Sequence, residues 1–180
     1  MDELAEILIE RDISISSVES FTVGGFANRI GSISGISAVY RGSLVSYQTR
    51  IKRDVLHIDE KIIEKFGVVS KEIAGLMAIH GQRMFESDLC ISFTGNAGPT
   101  AMEGKPVGLI YIGIAYAGEI HTFCFELAGT RDDIKKQAIL LGIEKILNIL
   151  KKKLNIKSEY RSKEVISYGR KNKGKKGRSR

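Results

Sequence analysis

The fold is decided by a turn that reads Val18-Glu19-Ser20-Phe21-Thr22-Val23-Gly24-Gly25. A short apolar alternating run precedes this turn, and a helix-like run to Ile30 follows it. This order predicts a strand that passes directly into a helix. The hydroxyl of Ser20 then faces the free N–H groups of the coming helix, which favour developing negative charge. Such a serine is either a helix N-cap or a nucleophile, and both interpretations stay open from this turn alone.

Outward from the turn, apolar periodicity predicts strands that alternate with helices. The predicted segments are a first helix over residues 2–11, the strand 13–18, the helix 22–30, a strand at about 38–47, one or two short helices between 54 and 66, a long helix 70–86, a buried strand 89–93, a hairpin formed by 107–116 and 119–125, and a last helix from 130 to about 150. Alternation of this kind is typical of layered α/β folds. We therefore expect a three-layer α/β/α sandwich with a mixed, mostly parallel central sheet and a late antiparallel hairpin.

The composition is that of one soluble globular domain. The chain has 180 residues, of which 43% are hydrophobic and 27% charged. No apolar run approaches the roughly 20 residues that span a bilayer. The first six residues are acidic and amphipathic, which is not the pattern of a secretory signal. We therefore expect a cytoplasmic protein without a membrane span.

The net charge of +7 is unevenly distributed. Residues 151–180 contain 13 Lys and Arg against 2 Asp and Glu, a net charge of +11, whereas residues 1–150 carry −4. The Lys, Arg, Ser and Gly that dominate beyond Leu154 cannot build a core. We therefore predict a folded domain over residues 1–153 and a basic, disordered tail over residues 154–180. Residues 155–180 could solubilise the protein, bind nucleic acid weakly or contact an anionic membrane, and these alternatives stay open.

The cysteines and histidines do not predict a metal site. Cys90 and Cys124 each lie in an apolar strand-like segment, which favours two buried thiols over a disulfide. His57, His80 and His121 are far apart, and no spacing matches a metal-ligand motif. We therefore expect no metal and no cofactor.

A serine nucleophile needs a base, and lysine is the candidate here. No histidine lies in a suggestive context, so a Ser-His-acid triad is not predicted. In the stretch Tyr47-Gln48-Thr49-Arg50-Ile51-Lys52, Tyr47 could orient a proton and Lys52 could accept one, provided that burial lowers the lysine pKa. The alternative interpretation of Lys52 is an ordinary solvated surface charge.

A third stretch, Thr94-Gly95-Asn96-Ala97-Gly98-Pro99, leaves the end of the buried strand 89–93. Ligand sites of α/β folds gather at such strand ends, and two glycines permit close backbone approach to an anion. The spacing matches neither a Walker loop nor a dinucleotide fingerprint. The stretch is therefore either a phosphate cradle or a plain connecting loop.

Together, these stretches resemble one family, the C-terminal domain of competence/damage-inducible protein CinA, whose members include nicotinamide mononucleotide deamidases. The family sequence Ala-Glu-Ser-Cys-Thr-Gly-Gly is similar to residues 18–24, and Tyr-Ser-Asn-x-x-Lys is similar to residues 47–52 at the same spacing. Further blocks resemble residues 66–74, residues 94–99, Lys105-Pro106-Val107-Gly108 and Gly129-Thr130-Arg131. The ordered blocks cover residues 13 to about 150.

The resemblance implies an amidohydrolase that converts nicotinamide mononucleotide to nicotinate mononucleotide and ammonia. It implies that Ser20 is the nucleophile, Lys52 its general base and Tyr47 a proton relay or positioning group. It also suggests a homodimer. Backbone N–H groups around residues 21–24 are our candidates for the oxyanion donors.

We assign substrate binding to eight residues, and expect the nucleotide phosphate to lie at the loop 95–99 with Arg41 or Arg131. The eight are Thr22, Gly24, Gly25, Arg41, Thr94, Gly95, Gly98 and Arg131. This chain departs from the family pattern at Phe21, Val23 and Asn96, which stand in place of Cys, Gly and Ile. One alternative hypothesis is therefore a family member that binds a nucleotide without turning it over. A second is a nucleic-acid-associated protein in which the tail matters and the pocket is vestigial.

Overall fold

The structure is a computed structural model that describes residues 2–173, with side chains over residues 3–155. The elements in chain order are α1 (Asp2–Glu10), β1 (Ile15–Glu19), α2 (Gly25–Gly31), a 3-10 turn (Ile36–Ala38), β2 (Tyr40–Val45), α3 (Thr49–Asp54), α4 (Glu60–Phe66), α5 (Lys71–Met84), β3 (Leu89–Gly95), β4 (Leu109–Tyr116), β5 (Glu119–Glu126) and α6 (Arg131–Lys173). The predicted alternation of strands and helices is confirmed, but α3 lies ahead of the short helices predicted between 54 and 66.

The five strands form one mixed sheet in the order β2-β1-β3-β4-β5. Strand β1 pairs in parallel with β2 and with β3, whereas β3–β4 and β4–β5 are antiparallel. The β4–β5 hairpin turns at Ala117 and Gly118, both with positive φ. The predicted mixed sheet with a late antiparallel hairpin is therefore confirmed.

Helices cover both faces of the sheet, as the alternation along β3 shows. On one face, the hydroxyl of Ser92 donates to the backbone oxygen of Ala74 in α5 at 2.6 Å. On the other face, Phe93 packs against Phe26 of α2 with ring centroids 5.7 Å apart. A Cβ on Gly142 of α6 would meet the side chain of Phe93, so the part of α6 up to residue 143 also lies on this second face. The three-layer α/β/α arrangement is confirmed.

Local signals in the sequence place several helix boundaries correctly. Ser70 caps α5, since its hydroxyl accepts the N–H of Ile73 at 3.3 Å. Thr130 and Asp133 cap each other before α6, because the Asp133 carboxylate accepts the Thr130 N–H while the Thr130 hydroxyl accepts the Asp133 N–H.

Two further expectations differ from the structure. The helix predicted to end near Leu150 continues as helical backbone to Lys173, because Lys, Arg, Glu and Leu all have good helix propensity. Cys124 is exposed rather than buried, because it lies on the edge strand β5, on the face whose alternate residues Ile120, Thr122 and Cys124 are all exposed.

The chain falls into two compact units, Met1–Ile143 and Glu144–Arg180. The predicted domain boundary between residues 153 and 154 stays a prediction, and the predicted tail contacts fall largely on side chains outside the described residues. Over residues 2–173, no helix is long and apolar enough to cross a membrane.

Candidate active site

Ser20 lies at the carboxyl end of β1, the strand between β2 and β3. Its backbone N–H donates to the carbonyl oxygen of Phe93 at 3.0 Å, which extends the β1–β3 pairing by one residue. The chain turns immediately afterwards, and α2 begins only at Gly25. The hydroxyl therefore stands at the end of the sheet where α/β folds place their ligand sites.

The helix cap that Ser20 could have supplied comes from Glu19 instead. The Glu19 carboxylate is fully buried and accepts the backbone N–H groups of Phe26 at 3.1 Å and Ala27 at 2.9 Å. The residue at the N-cap position is Gly24, which has no side chain to cap with. The N-cap interpretation of Ser20 is therefore wrong. The sequence carries no recognised signal for this cap, since the carboxylate reaches the helix from the strand before the turn.

Lys52 reaches Ser20 from α3. Its Nζ atom lies 3.1 Å from the Oγ atom of Ser20 and donates to the carbonyl oxygen of Ser46 at 2.6 Å. Only 1% of the Lys52 side chain is exposed. The alternative interpretation of Lys52 as a solvated surface charge is therefore wrong.

Burial changes the proton affinity of this lysine. Removal from water disfavours the ammonium form and lowers the pKa of Lys52 from 10.5 to about 8, although the negative charge of Glu103 acts in the opposite direction. At pH 7 about a tenth of the lysine is therefore neutral, far more than for a lysine in water. A neutral amine 3.1 Å from a hydroxyl can act as a general base toward it.

Tyr47 and Arg131 meet at the same site. The guanidinium of Arg131 donates to the hydroxyl oxygen of Tyr47 at 3.2 Å and to the carbonyl oxygen of Gly98 at 2.5 Å. Arg131 therefore joins the segment after β2 to the loop after β3, although 84 residues separate it from Tyr47. Tyr47 is 56% exposed, so the residue lies at the surface rather than in the core.

A cavity of about 110 Å³ lies among these side chains. It is lined by all three predicted catalytic residues and by four of the predicted substrate-binding residues, Thr94, Gly95, Gly98 and Arg131. Three stretches that are far apart in sequence, residues 20–21, 47–52 and 94–98, therefore contribute to a single cavity.

The other four predicted substrate-binding residues do not line this cavity. Arg41 lies near the start of β2, and the register pairs Tyr40 with Ile15 and Val45 with Glu19. This register places Arg41 at the amino end of the sheet, where its charge acts, after the hydrogen bonds from Ser14, to lower the pKa of Asp88. Arg41 is thus at the opposite end of the sheet from Ser20.

The remaining three, Thr22, Gly24 and Gly25, shape the turn. Thr22 is fully buried, Gly24 has a φ of 78°, and a Cβ on Gly25 would overlap with Ile139. Among the described residues, the backbone N–H groups of Phe21, Thr22 and Gly24 donate no hydrogen bond. These groups follow Ser20 directly and are therefore available as donors.

Val23 adopts a backbone conformation that suits glycine. Its φ is 51°, in the left-handed region, which is costly for a β-branched residue. The side chain itself is 49% exposed, so it meets little of the core. Phe21, in contrast, is 3% exposed and lines the cavity. Val23 therefore affects the conformation of the backbone in the turn, whereas Phe21 affects the wall of the cavity.

The arrangement offers acid–base and nucleophilic groups. It contains a hydroxyl, a buried amine, a tyrosine hydroxyl, a guanidinium and unpaired N–H groups. Within the part of the chain that the structure describes, no three His, Cys, Asp or Glu side chains form a group that could hold a metal ion. Such a set of groups is suited to covalent catalysis of acyl transfer.

Comparison with known proteins agrees with this description. The family model described as CinA C-terminal domain matches residues 1–150. A competence-damage inducible protein of Oceanobacillus iheyensis is 42% identical over 153 residues, which are 84% of this chain and 37% of that protein. A protein of the same description from Levilactobacillus brevis is 36% identical over 83% of this chain and 36% of its own length. The chain therefore spans a little over a third of the length of the curated relatives it matches.

Solved structures show the same fold. A competence or damage-inducible protein from Enterobacter asburiae superposes with a TM-score of 0.81 at 23% identity, covering 83% of this chain and 94% of that one. A competence/damage inducible protein from Agrobacterium tumefaciens superposes with a TM-score of 0.76 at 28% identity and the same coverage. The sheet and the helices around it are thus shared with these proteins.

Proposed function

The chain belongs to the CinA C-terminal domain family, and from this membership and the geometry around Ser20 we propose that it hydrolyses the carboxamide of nicotinamide mononucleotide to nicotinate mononucleotide and ammonia. The reaction consumes one water and needs neither metal nor cofactor in this proposal. Ser20 is the nucleophile, Lys52 the general base and Tyr47 the group that positions a proton or the substrate.

One observation carries the proposal. The Nζ atom of Lys52 is buried, has a pKa lowered to about 8 by that burial, and lies 3.1 Å from the Oγ atom of Ser20. No side chain that the structure describes forms an ion pair with Lys52. A buried lysine of this kind is costly in the folded state, and such cost is typical of functional sites. The distance lies within hydrogen-bond reach for a nucleophile and its base.

In the first step, Ser20 Oγ attacks the carbonyl carbon of the carboxamide while its proton moves to the neutral amine of Lys52. A tetrahedral oxyanion forms, and unpaired N–H groups of the turn 21–24 are the candidates to stabilise it. The carbonyl oxygen of Ser46, 2.6 Å from Nζ, holds the amine in place and stabilises the ammonium that results.

In the second step, the Lys52 ammonium returns its proton to the amide nitrogen, the C–N bond breaks and ammonia departs. The nicotinoyl group remains as an ester on Ser20. A water molecule then attacks the ester carbonyl, Lys52 accepts the proton of the water, and the acid product leaves as Ser20 Oγ recovers a proton. Lysine thus acts alternately as base and acid, which a pKa near the working pH permits.

For the nucleotide portion, the proposal assigns Arg131 and the loop that contains Gly95 and Gly98. Arg131 already contacts the loop and Tyr47, so it stands at the side of the cavity that the loop forms. A guanidinium suits a phosphate because its planar donors match phosphate oxygens. Arg41 is not part of this proposal, because it lies at the other end of the sheet.

Ammonia release from nicotinamide mononucleotide tests the proposal directly. We expect release by the wild-type protein, and a loss of at least about 10³-fold in Ser20→Ala and in Lys52→Met. Ser32→Ala and Lys61→Met change exposed residues of the same types and should retain activity. Wild-type protein that binds the nucleotide but releases no ammonia between pH 7 and 9 would exclude the enzyme.

The second candidate is a family member that binds the nucleotide without turnover. The observation that favours it is Val23, whose positive φ strains the turn directly after the nucleophile. Calorimetric titration of nicotinamide mononucleotide into wild type and Ser20→Ala separates the two functions. Equal affinity in both proteins, together with no ammonia release, supports the binding protein.

The homodimer and the nucleic-acid contact of residues 155–180 remain proposals. Sedimentation analysis of the full chain measures the oligomeric state. Deletion of residues 155–180 should weaken binding to single-stranded RNA in a salt-dependent way if the basic residues neutralise phosphates. Unchanged RNA binding after the deletion contradicts this role.

A further inference from the structure

Two segments to which the proposed chemistry assigns no role meet beside the cavity. One is the link 66–69 between α4 and α5, and the other is the loop that carries Glu103 and Lys105. The Glu103 carboxylate accepts the backbone N–H of Val68 at 2.7 Å and of Val69 at 3.2 Å. The Nζ atom of Lys105 lies 3.0 Å from the same carboxylate and donates to two carbonyl oxygens of the link. The loop is therefore fastened to the link by four hydrogen bonds, while the Glu103–Lys105 contact joins two residues of the loop itself.

The link has room for this ion pair because of a glycine. Gly67 ends α4 with a φ of 74°, and a Cβ at this position would overlap with the Glu103 carboxylate and with the Nζ atom of Lys105. Any other residue would therefore displace the pair as well as strain the backbone. The glycine in the link is therefore required by the position of the Glu103–Lys105 pair in the loop.

The other side of the loop is held by Asn96, which is 2% exposed. Its Nδ2 atom donates to the carbonyl oxygens of Met102 at 3.1 Å and Lys105 at 3.0 Å. Residues 102–105 are thus fixed from both sides. Isoleucine, the residue of the family pattern at position 96, could not form these two bonds. In this chain the loop is therefore held by Asn96 as well as by Glu103.

The fastened segments form part of the wall of the cavity. Val68, Val69 and Met102 line it together with Ser20 and Lys52. The volume of about 110 Å³ is well below the roughly 300 Å³ at the lower end of ligand pockets, so a group that enters is confined closely. A small movement of the loop therefore changes the position of a bound carboxamide relative to the Ser20–Lys52 pair.

We propose that Glu103 is a positioning residue for the reaction: its carboxylate fastens the loop 99–105 to the link 66–69 and so fixes the cavity wall beside Ser20 and Lys52. The inference rests on the proposed function, because only that function gives the Ser20–Lys52 pair a substrate to position.

Glu103 also acts on the base through its charge. Its carboxylate is the charged group that raises the proton affinity of Lys52 against the larger effect of burial. Besides Lys52, the titratable or charged side chains that line the cavity are Tyr47 and Arg131, which contact each other. Movement of Glu103 away from the cavity therefore leaves Lys52 with a lower pKa, so the position of the loop and the protonation of the base are linked.

Three measurements on wild type, Glu103→Gln and Glu103→Asp test the inference. They are the hydrogen exchange of the Val68 and Val69 amides, the titration of Lys52 followed by NMR, and kcat and KM for nicotinamide mononucleotide. In Glu103→Gln we expect amide exchange about tenfold faster, since a charge-assisted bond is lost. We also expect the Lys52 midpoint to fall by about half a pH unit and kcat to fall about tenfold, with a smaller change in KM. Glu103→Asp keeps the charge on a shorter side chain, so it should retain the Lys52 midpoint better than Glu103→Gln while the exchange still accelerates.

Glu10→Gln is the matched control, since it removes one exposed carboxylate from α1 and should change none of the three measurements. Wild-type exchange rates and a wild-type Lys52 midpoint in Glu103→Gln would overturn the inference. If the wild type releases no ammonia, the proposed function fails, while the exchange and the NMR titration still decide whether Glu103 fastens the loop and acts on Lys52.

Discussion

The carboxylate of Glu19 accepts the backbone N–H of Ala27 at 2.9 Å, across the turn that contains Ser20. A second bond from the N–H of Phe26 completes the cap of α2. Because the acid before the serine satisfies the helix, the serine hydroxyl is not needed for capping. It contacts the amine of Lys52 instead, which makes it a candidate nucleophile.

The first prediction concerns the pH dependence of ammonia release. Lys52 must be neutral to accept the Ser20 proton, and its pKa is lowered to about 8. Activity should therefore rise with pH, with a midpoint near 8 rather than near the free-lysine value of about 10.4. Initial rates at saturating and at low substrate between pH 6 and 10 give the midpoint. A flat profile would show that Lys52 is not the base.

The second prediction concerns the stability cost of Lys52. Its folded pKa of about 8 lies below the unfolded value of 10.5, so below pH 8 both states are protonated and the folded state carries the full cost of a buried charge. Between pH 8 and 10.5 the unfolded state binds more protons, so the free energy of unfolding rises with pH. The free energy of unfolding of wild type rises by about 3 kcal/mol over this range. This value is an upper limit for the stabilisation by Lys52→Met at pH 7, because the Ser46 carbonyl loses its hydrogen-bond donor in the variant.

Urea unfolding of wild type and Lys52→Met at pH 7 and pH 10 measures this cost. We expect the difference between the two proteins to shrink as the pH rises. Lys61→Met is the control and should show no such dependence. A constant difference at both pH values contradicts the lowered pKa.

The third prediction concerns Glu19. Glu19→Ala leaves the N–H groups of Phe26 and Ala27 in the folded state without their acceptor, which costs about 2 kcal/mol or more. Glu19→Gln keeps an acceptor oxygen and should be destabilised less. Ser43→Ala, which removes the 3.4 Å contact of the Ser43 hydroxyl with Glu19 together with the hydrogen bond from Ser17, is the control for the surrounding network. Equal stability of Glu19→Ala and wild type in urea unfolding would mean that the carboxylate does not cap α2.

The fourth prediction concerns Val23, whose φ is 51°. A left-handed conformation costs an L-residue about 1–2 kcal/mol, whereas glycine adopts it freely but adds about 0.5–1 kcal/mol of unfolded-state entropy. Val23→Gly should therefore raise the free energy of unfolding by about 0.5–1 kcal/mol. Val107→Gly, at an exposed valine without a positive φ, should lower it. Destabilisation by both substitutions to a similar extent contradicts strain at Val23.

Much of the fold could be predicted because its signals are local. The caps at Ser70 and Thr130, the hairpin turn at Ala117 and Gly118 and the order of strands and helices all follow from nearby residues. The exposure of Cys124 was predicted incorrectly, because it depends on the position of β5 at the edge of the sheet. Apolar character along a strand does not reveal which strand lies at the edge.

Only part of the candidate site could be predicted, because the sequence signals are local. Arg41 and Arg131 are indistinguishable as candidate phosphate ligands in the sequence, and only the β1–β2 register places Arg41 at the amino end of the sheet. The sequence did not indicate the roles of Glu19 and Glu103, because each carboxylate accepts backbone N–H groups of another segment.

The sequence by itself determined the alternation of strands and helices and, through short motifs, the family, and it supplied Ser20, Tyr47 and Lys52 as candidate catalytic residues. These properties depend on residue types and spacings within a single segment. The tertiary structure alone decided that Lys52 is buried 3.1 Å from Ser20, that Glu19 rather than Ser20 caps α2, and that Glu103 fastens the loop beside the cavity. The physical reason is that burial and hydrogen-bond partners are set by the packing of segments that lie far apart in the chain, and burial in turn sets the proton affinity on which the proposed reaction depends.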